Sequence, residues 1–266
     1  MSTPKHFAEK LLQIRALQVN LQNPYTWASG WRSPVYCDNR KVLSHPYVRD
    51  FVKSELANMV LEHFPEADAI AGVATAGIAH GALAADLQKL PFLYVRSKPK
   101  EHGMGNLIEG ELTPGHKVVV VEDLISTGKS SLEVVEVLRA NGAEVIGMIG
   151  LFTYGFPDAD AAFAKAGVPL KTISNYPALI EVAKEQNLVS EDQLATLAEW
   201  RSVFEDFLST KKQCNETTEG LTFEKFQTTL RKNRDALLQR HGTKRVKFSV
   251  YVKEGKAALK ATPLKE

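Results

Sequence analysis

Two adjacent carboxylates, Glu122 and Asp123, follow the valine run Val118–Val121 and precede Leu124, Ile125, Ser126, Thr127, Gly128, Lys129, Ser130 and Ser131. An apolar run without alternation is the pattern of a parallel strand covered on both faces, so the acids arrive at the carboxyl end of a core strand. The Ser/Thr/Gly turn after them opens directly onto a helical pattern. Successive backbone N–H groups at a helix start make an anion site, and residues 126–130 therefore suit a phosphate monoester. The carboxylates would repel that phosphate; they suit a polyol that donates hydrogen bonds, or the surroundings of Mg2+. Gly128-Lys129-Ser130 mimics the end of a nucleotide-triphosphate loop, but that loop requires glycine where Asp123 stands. A plain capped helix explains the serine and threonine and leaves paired acids at a strand end unexplained.

Three further segments have chemistry-bearing composition. Residues 96–106 combine Arg96, Lys98, Lys100 and His102 with Pro99, Gly103 and Gly105 and show no apolar periodicity. They read as a mobile basic loop, whose cations neutralise charge on a departing group when it closes and excludes water; a solvated charged loop has the same composition. Residues 72–77, Gly-Val-Ala-Thr-Ala-Gly, allow a backbone to approach a ligand such as a diphosphate, and tight helix–sheet packing needs the same small residues. Residues 25–40 hold Tyr25, Trp27, Trp31 and Tyr36, which suit either the walls of a flat heterocycle or a hood packed on the core.

The elements that must position these groups follow from periodicity. Thr3-Pro4 opens a helix with Phe7, Leu11, Ile14 and Leu17 on one face, and a second begins near Pro46. Apolar runs at 69–73, 92–95, 118–121 and 145–151 then alternate with helical patterns near 78–87, 130–141 and 159–166. This predicts an α/β doubly wound, mostly parallel sheet with an N-terminal hood, in which ligands gather at the carboxyl ends of the strands. Beyond Trp200 the pattern changes to one helix containing Phe223, Phe226, Leu230 and Leu237. Strict alternation at Val246, Phe248, Val250 and Val252 follows, then a second short run. The expected division is residues 1–208 as the main domain and 209–266 as a small α-β-β appendage.

Composition narrows the class. The 266 residues are 44% hydrophobic and 24% charged, close to the globular average, which excludes disorder along the whole chain. Two cysteines, Cys37 and Cys214, are too few for a disulfide framework and form no Cys-x-x-Cys pair, so a reducing cytoplasm is expected. The N-terminus lacks the apolar core of a signal peptide. The longest uncharged stretch, Ala69 to Ala85, is too short to span a bilayer, so no membrane partner is expected. The net charge of +2 hides an asymmetry: residues 211–266 carry 14 Lys and Arg against 6 Asp and Glu.

Glu122 to Ser131 resembles the phosphoribosyl-diphosphate signature of type I phosphoribosyltransferases. Together with Tyr25–Gly30, Ser33–Arg40, Tyr94–Gly103 and Phe152–Gly155, the chain from about residue 5 to 203 resembles the orotate phosphoribosyltransferases, in the form found in Gram-positive bacteria and Bacteroidetes. The resemblance implies transfer of phosphoribosyl from 5-phosphoribosyl 1-diphosphate to orotate in pyrimidine (UMP) biosynthesis, with Mg2+ (magnesium) carried by the diphosphate. Glu122 and Asp123 would hold the ribose hydroxyls, residues 126–130 would hold the 5′-phosphate within a substrate-binding segment that includes Leu124 and Ile125, and Ser126 would also touch orotate. Arg96, Lys100 and His102 would bind diphosphate, with Lys100, His102 and Asp123 as catalytic groups. The loop would reach into the other subunit of a homodimer with shared active sites. Another branch of the family carries lysine at the positions of Ala28 and Ala76 and arginine at Tyr154 to grip the orotate carboxylate; here Arg40 is the candidate. Lys129 replaces a frequent glycine and is expected to point outward.

Two other functions compete. A regulator that senses phosphoribosyl diphosphate and uses its basic tail on nucleic acid would not need Lys100 and His102, which are both present. A purine phosphoribosyltransferase is disfavoured by the Trp27–Gly30 segment. The tail itself reads either as a solvated extension packed on a dimer partner, or as a site for nucleic acid or an acidic partner. Lys232, Arg234, Lys244, Arg245 and Lys247 would be its contacts, with Tyr251 the one exposed aromatic.

Overall fold

The computed structural model describes residues 2–19, 25–26, 32–33, 35–97, 107–189, 191–218, 221, 223–241 and 245–264. Lys100 and His102, the Trp27–Gly30 segment and Lys244 lie outside the described residues. The chain forms two compact units. One comprises Met1–Gln18 and Tyr36–Gln186, the other Val19–Val35 and Asn187–Glu266.

In the first unit, helix α1 (Thr3–Gln13) starts at a proline and buries Phe7, Ala8 and Leu11. Strand β1 (Leu17–Val19) pairs with β4 (Val35–Cys37); the ribbon of β2 (Tyr25–Thr26) and β3 (Arg32–Ser33), between them in sequence, belongs to the second unit. A 3-10 helix (Asn39–Ser44) leads into α2 (Pro46–His63). Then come β5 (Ala69–Val73), α3 (Ala76–Gln88), β6 (Phe92–Val95), β7 (Ile108–Glu109), β8 (Lys117–Ile125), α4 (Lys129–Ala140), β9 (Glu144–Thr153), α5 (Pro157–Ala166), β10 (Leu170–Asn175) and α6 (Tyr176–Glu185). The main sheet has the order β10-β9-β8-β5-β6-β7, and only the short edge strand β7 runs antiparallel. Its centre, β8 beside β5 and β9, is fully buried from Val118 to Val121, as expected for strands covered on both faces.

The doubly wound sheet is therefore present, with differences at its margins. Strand β8 extends four residues past the valine run because Glu122, Leu124 and Ile125 pair with Gly150, Phe152 and Thr153 of β9. The acids thus belong to the ladder rather than to the turn after it. Strand β10 was not legible from periodicity, since its buried residues are confined to Ile173 and Ser174.

The second unit joins α7 (Glu191–Gln213), α8 (Phe223–His241) and the hairpin of β11 (Arg245–Lys253) and β12 (Lys256–Leu264). Trp200 and Val203 of α7 share a core with Phe226 and Leu230 of α8 and with Val246 and Phe248 of β11. The expected boundary between residues 208 and 209 accordingly falls inside α7, which runs unbroken to Gln213. The reason is apolar packing: α7 presents a stripe that the hairpin and α8 cover.

Candidate active site

Strand β8 delivers Glu122 and Asp123 to the carboxyl end of the sheet. Glu122 is buried, and its carboxylate accepts hydrogen bonds from the Asp123 N–H at 3.0 Å and the Ser131 hydroxyl at 3.1 Å. Burial pushes the Glu122 carboxyl well up, reinforced by the neighbouring Asp123 charge. Asp123 is also raised by burial, although the Glu122 hydrogen bond and the nearby Arg40 charge pull it down. The pair therefore holds a proton more tightly than two free carboxyls would.

Beyond the acids, Ser126–Gly128 turns the chain into α4. Gly128 has φ of +76°, and a Cβ there would meet the Phe163 ring at 2.6 Å, so only glycine fits both the conformation and the space. No side chain caps α4 and its first turn holds no acid, which leaves its first N–H groups for an anion. Thr127, Lys129 and Ser130 are exposed, Ser126 and Leu124 are partly so, and Ile125 is buried in the core. Lys129 thus lies at the surface, as expected. Ile125 supports the loop from below, since its carbonyl accepts the Tyr154 N–H.

The small-residue segment between β5 and α3 packs against the same strand end. A Cβ on Gly77 would sit 2.5 Å from the Val121 carbonyl oxygen, and one on Gly72 would sit 2.9 Å from the Gly77 oxygen. Of the two sequence readings of this segment, helix–sheet packing accounts for both glycines. Gly77→Ala is expected to cost about 1–3 kcal/mol, because the obstructing atom is backbone of the central strand and cannot swing away. A urea midpoint equal to the parent's would contradict that contact.

Residues that sequence reasoning missed complete the neighbourhood. Asn39 is fully buried; its side-chain amide donates to the Asp123 carbonyl at 2.5 Å, and its oxygen accepts from the Cys37 thiol at 3.3 Å. It pins the strand end from a segment 84 residues away, a relation that no local pattern encodes. Ser131 lay in the quoted motif without a role, and it holds Glu122. His80 of α3 is fully buried, and burial lowers its pKa to about 4 against a smaller upward pull from the Asn39 backbone.

The cations are differently placed. Arg40 is exposed and its guanidinium pairs with Asp38 at 2.6 Å, yet its charge also reaches Asp123. Arg96, at the end of β6, forms a 3.4 Å ion pair with Glu109, and its N–H donates to the Leu107 carbonyl. Tyr154 is buried, stacked at 5.7 Å on Phe156 and edge-on to Phe152; burial raises its phenol. Among the described residues no cluster of three or more His, Cys, Asp or Glu could hold a metal ion.

A family model described as the phosphoribosyl transferase domain matches residues 43–165, which span the acid pair and its loop. The chain is 61% identical over 195 residues to the orotate phosphoribosyltransferase of Bacteroides fragilis, covering 73% of this chain and 92% of that one. It is 52% identical over 201 residues to the orotate phosphoribosyltransferase of Listeria innocua, covering 76% and 96%. Among solved structures, the orotate phosphoribosyltransferase of Aeropyrum pernix aligns with a TM-score of 0.60 at 29% identity, over 69% of this chain and 99% of that one. With such identity sustained across nearly the whole length of its relatives, this chain belongs to the orotate phosphoribosyltransferase family.

Proposed function

We propose that the chain transfers the phosphoribosyl group of 5-phosphoribosyl 1-diphosphate to orotate, yielding orotidine 5′-monophosphate and diphosphate. The observation that carries this reading is the acid pair at the end of β8, set one turn before an uncapped helix start, in a chain whose relatives bear that activity's name. In the reaction the bond from the anomeric carbon to the diphosphate oxygen breaks, and a bond to N1 of orotate forms. The electron pair leaves with the diphosphate, and the orotate nitrogen, already anionic, needs little help from a base.

Glu122 and Asp123 accept hydrogen bonds from the ribose hydroxyls, and the N–H groups from Ser126 to Ser130 hold the 5′-phosphate. Arg96, Lys100 and His102 neutralise charge on the leaving diphosphate. Ser126 contacts orotate, and Arg40 takes its carboxylate. Mg2+ travels with the diphosphate and supplies further charge neutralisation there. The donor set suits that role, because carboxylates are the hard oxygen donors that Mg2+ takes beside substrate phosphates.

A homodimer with shared active sites is part of the proposal, supported by apolar surface on α2, where Tyr47 is 90% and Leu61 60% exposed. Residues 1–208 act as the transferase region and 209–266 as an extension. Two free cysteines support a cytoplasmic setting, and no described helix is long and apolar enough to cross a membrane. The experiment is loss of orotate absorbance on adding protein, phosphoribosyl diphosphate and Mg2+, with adenine, hypoxanthine and uracil in parallel. Turnover of orotate alone is expected, whereas turnover of a purine, or of no base while phosphoribosyl diphosphate still binds, would overturn the proposal.

A further inference from the structure

The second unit ends in a hairpin whose two faces differ in kind. Val246, Phe248, Val250, Leu259 and Ala261 face the core shared with α7 and α8. The residues between them point the other way, since successive strand residues alternate. Register sets Lys247 across from Thr262, Ser249 across from Lys260, Tyr251 across from Ala258, and Lys253 across from Lys256. All four lysines are exposed, and Tyr251 is 43% exposed, the position expected for it from the sequence. The described residues of this face include no acid; Glu254 sits in the turn, and Glu216, tied to Lys211 and to the Ala257 N–H, lies near Lys256.

Lysines commonly guard strand edges against aggregation, but that role does not call for two of them directly opposite each other. Here one sign prevails, and Lys253 directly faces Lys256, a pairing that lowers stability. A face that keeps such repulsion fits a polyanion. We propose that this outer face of β11 and β12 binds the phosphate backbone of duplex DNA. Nine-residue strands reach about 30 Å, close to the 34–36 Å of one duplex turn, and a two-stranded ribbon fits the major groove. Single-stranded nucleic acid would call for successive aromatic platforms, and Tyr251 is the only aromatic on the described part of this face. Of the contacts expected from sequence, Lys247 belongs to the face, whereas Arg234 is engaged with the Trp200 ring at 5.3 Å and with Asp235.

The test is fluorescence anisotropy of a labelled 20-base-pair duplex titrated with the full chain. Four phosphate contacts are expected to weaken affinity about 10²-fold between 50 and 200 mM salt. The double variant Lys253→Glu, Lys260→Glu is expected to lose at least about tenfold in affinity at 50 mM salt and to lower the salt slope by about 2, with orotate turnover unchanged and the thermal midpoint no lower than the parent's, since Lys253→Glu removes the repulsion with Lys256. Lys247→Gln, which adds no repulsion, lowers the slope by about 1. The proposal is overturned if the duplex does not bind at 50 mM salt or if charge reversal leaves the affinity as it was. Tighter binding of a single-stranded RNA or of an acidic peptide than of the duplex overturns it equally.

Discussion

Asp123→Asn is expected to lower kcat/KM for phosphoribosyl diphosphate by about 10²-fold or more. The ionised carboxylate offers acceptors to ribose hydroxyls in a largely dehydrated setting, where a hydrogen bond to a charged group contributes about 1.5–3 kcal/mol. The asparagine amide has the same shape but replaces one acceptor by a donor, which meets hydroxyl protons unfavourably. The fold should persist, because the backbone carbonyl of residue 123 still accepts from Asn39. KM for orotate should change much less than KM for phosphoribosyl diphosphate. Steady-state kinetics in both substrates reads this split, and an equal change in both KM values would count against hydroxyl binding.

Glu122→Gln should have opposite effects on activity and stability. Burial and the adjacent Asp123 raise the Glu122 carboxyl above its unfolded value of 4.5, so the folded state keeps a proton that the unfolded state releases. Where the unfolded chain binds fewer protons, stability falls as pH rises. The destabilisation is thus absent below pH about 4.5 and grows from there through the folded pKa. Glutamine is neutral at every pH; its oxygen can still accept from the Asp123 N–H, and its amide can donate to the Ser131 hydroxyl oxygen, which accepts as well as donates. The variant should therefore melt higher than the parent at pH 7 to 8, by about 2–4 °C for each kcal/mol relieved. The gap should close toward pH 4.5, while catalytic efficiency drops. Thermal melts across that range check it; a variant that melts lower at pH 8 than the parent would show that Glu122 is stabilising as an anion.

Much of this site is visible in the sequence because its core strand is not alternating. Val118 to Val121 reads as a doubly covered strand and is one, and acids at its end have no place in packing. Gly128 was legible as a turn residue, and φ of +76° with Phe163 beside it shows why no other residue serves. Asn39 was not legible, since a single polar residue near the chain start gives no sign that it will close on a strand 84 positions later. His80 sits in an uncharged apolar run that reads as core, which it joins fully buried. The packing of α7 was hidden for a similar reason. Trp200, Val203 and their neighbours look like the end of the first body, yet they pack on Phe226, Leu230 and Phe248, whose distance in sequence hides the contact.

The most direct measurement compares phosphoribosyl diphosphate with an analogue lacking one ribose hydroxyl, in the parent and in Asp123→Asn. If the acid pair holds those hydroxyls, removing a hydroxyl costs the parent about 10-fold to 10²-fold in kcat/KM, and costs the variant far less, because the partner is already lost. Equal losses in the two proteins would place the hydroxyl elsewhere and contradict the role given to Asp123.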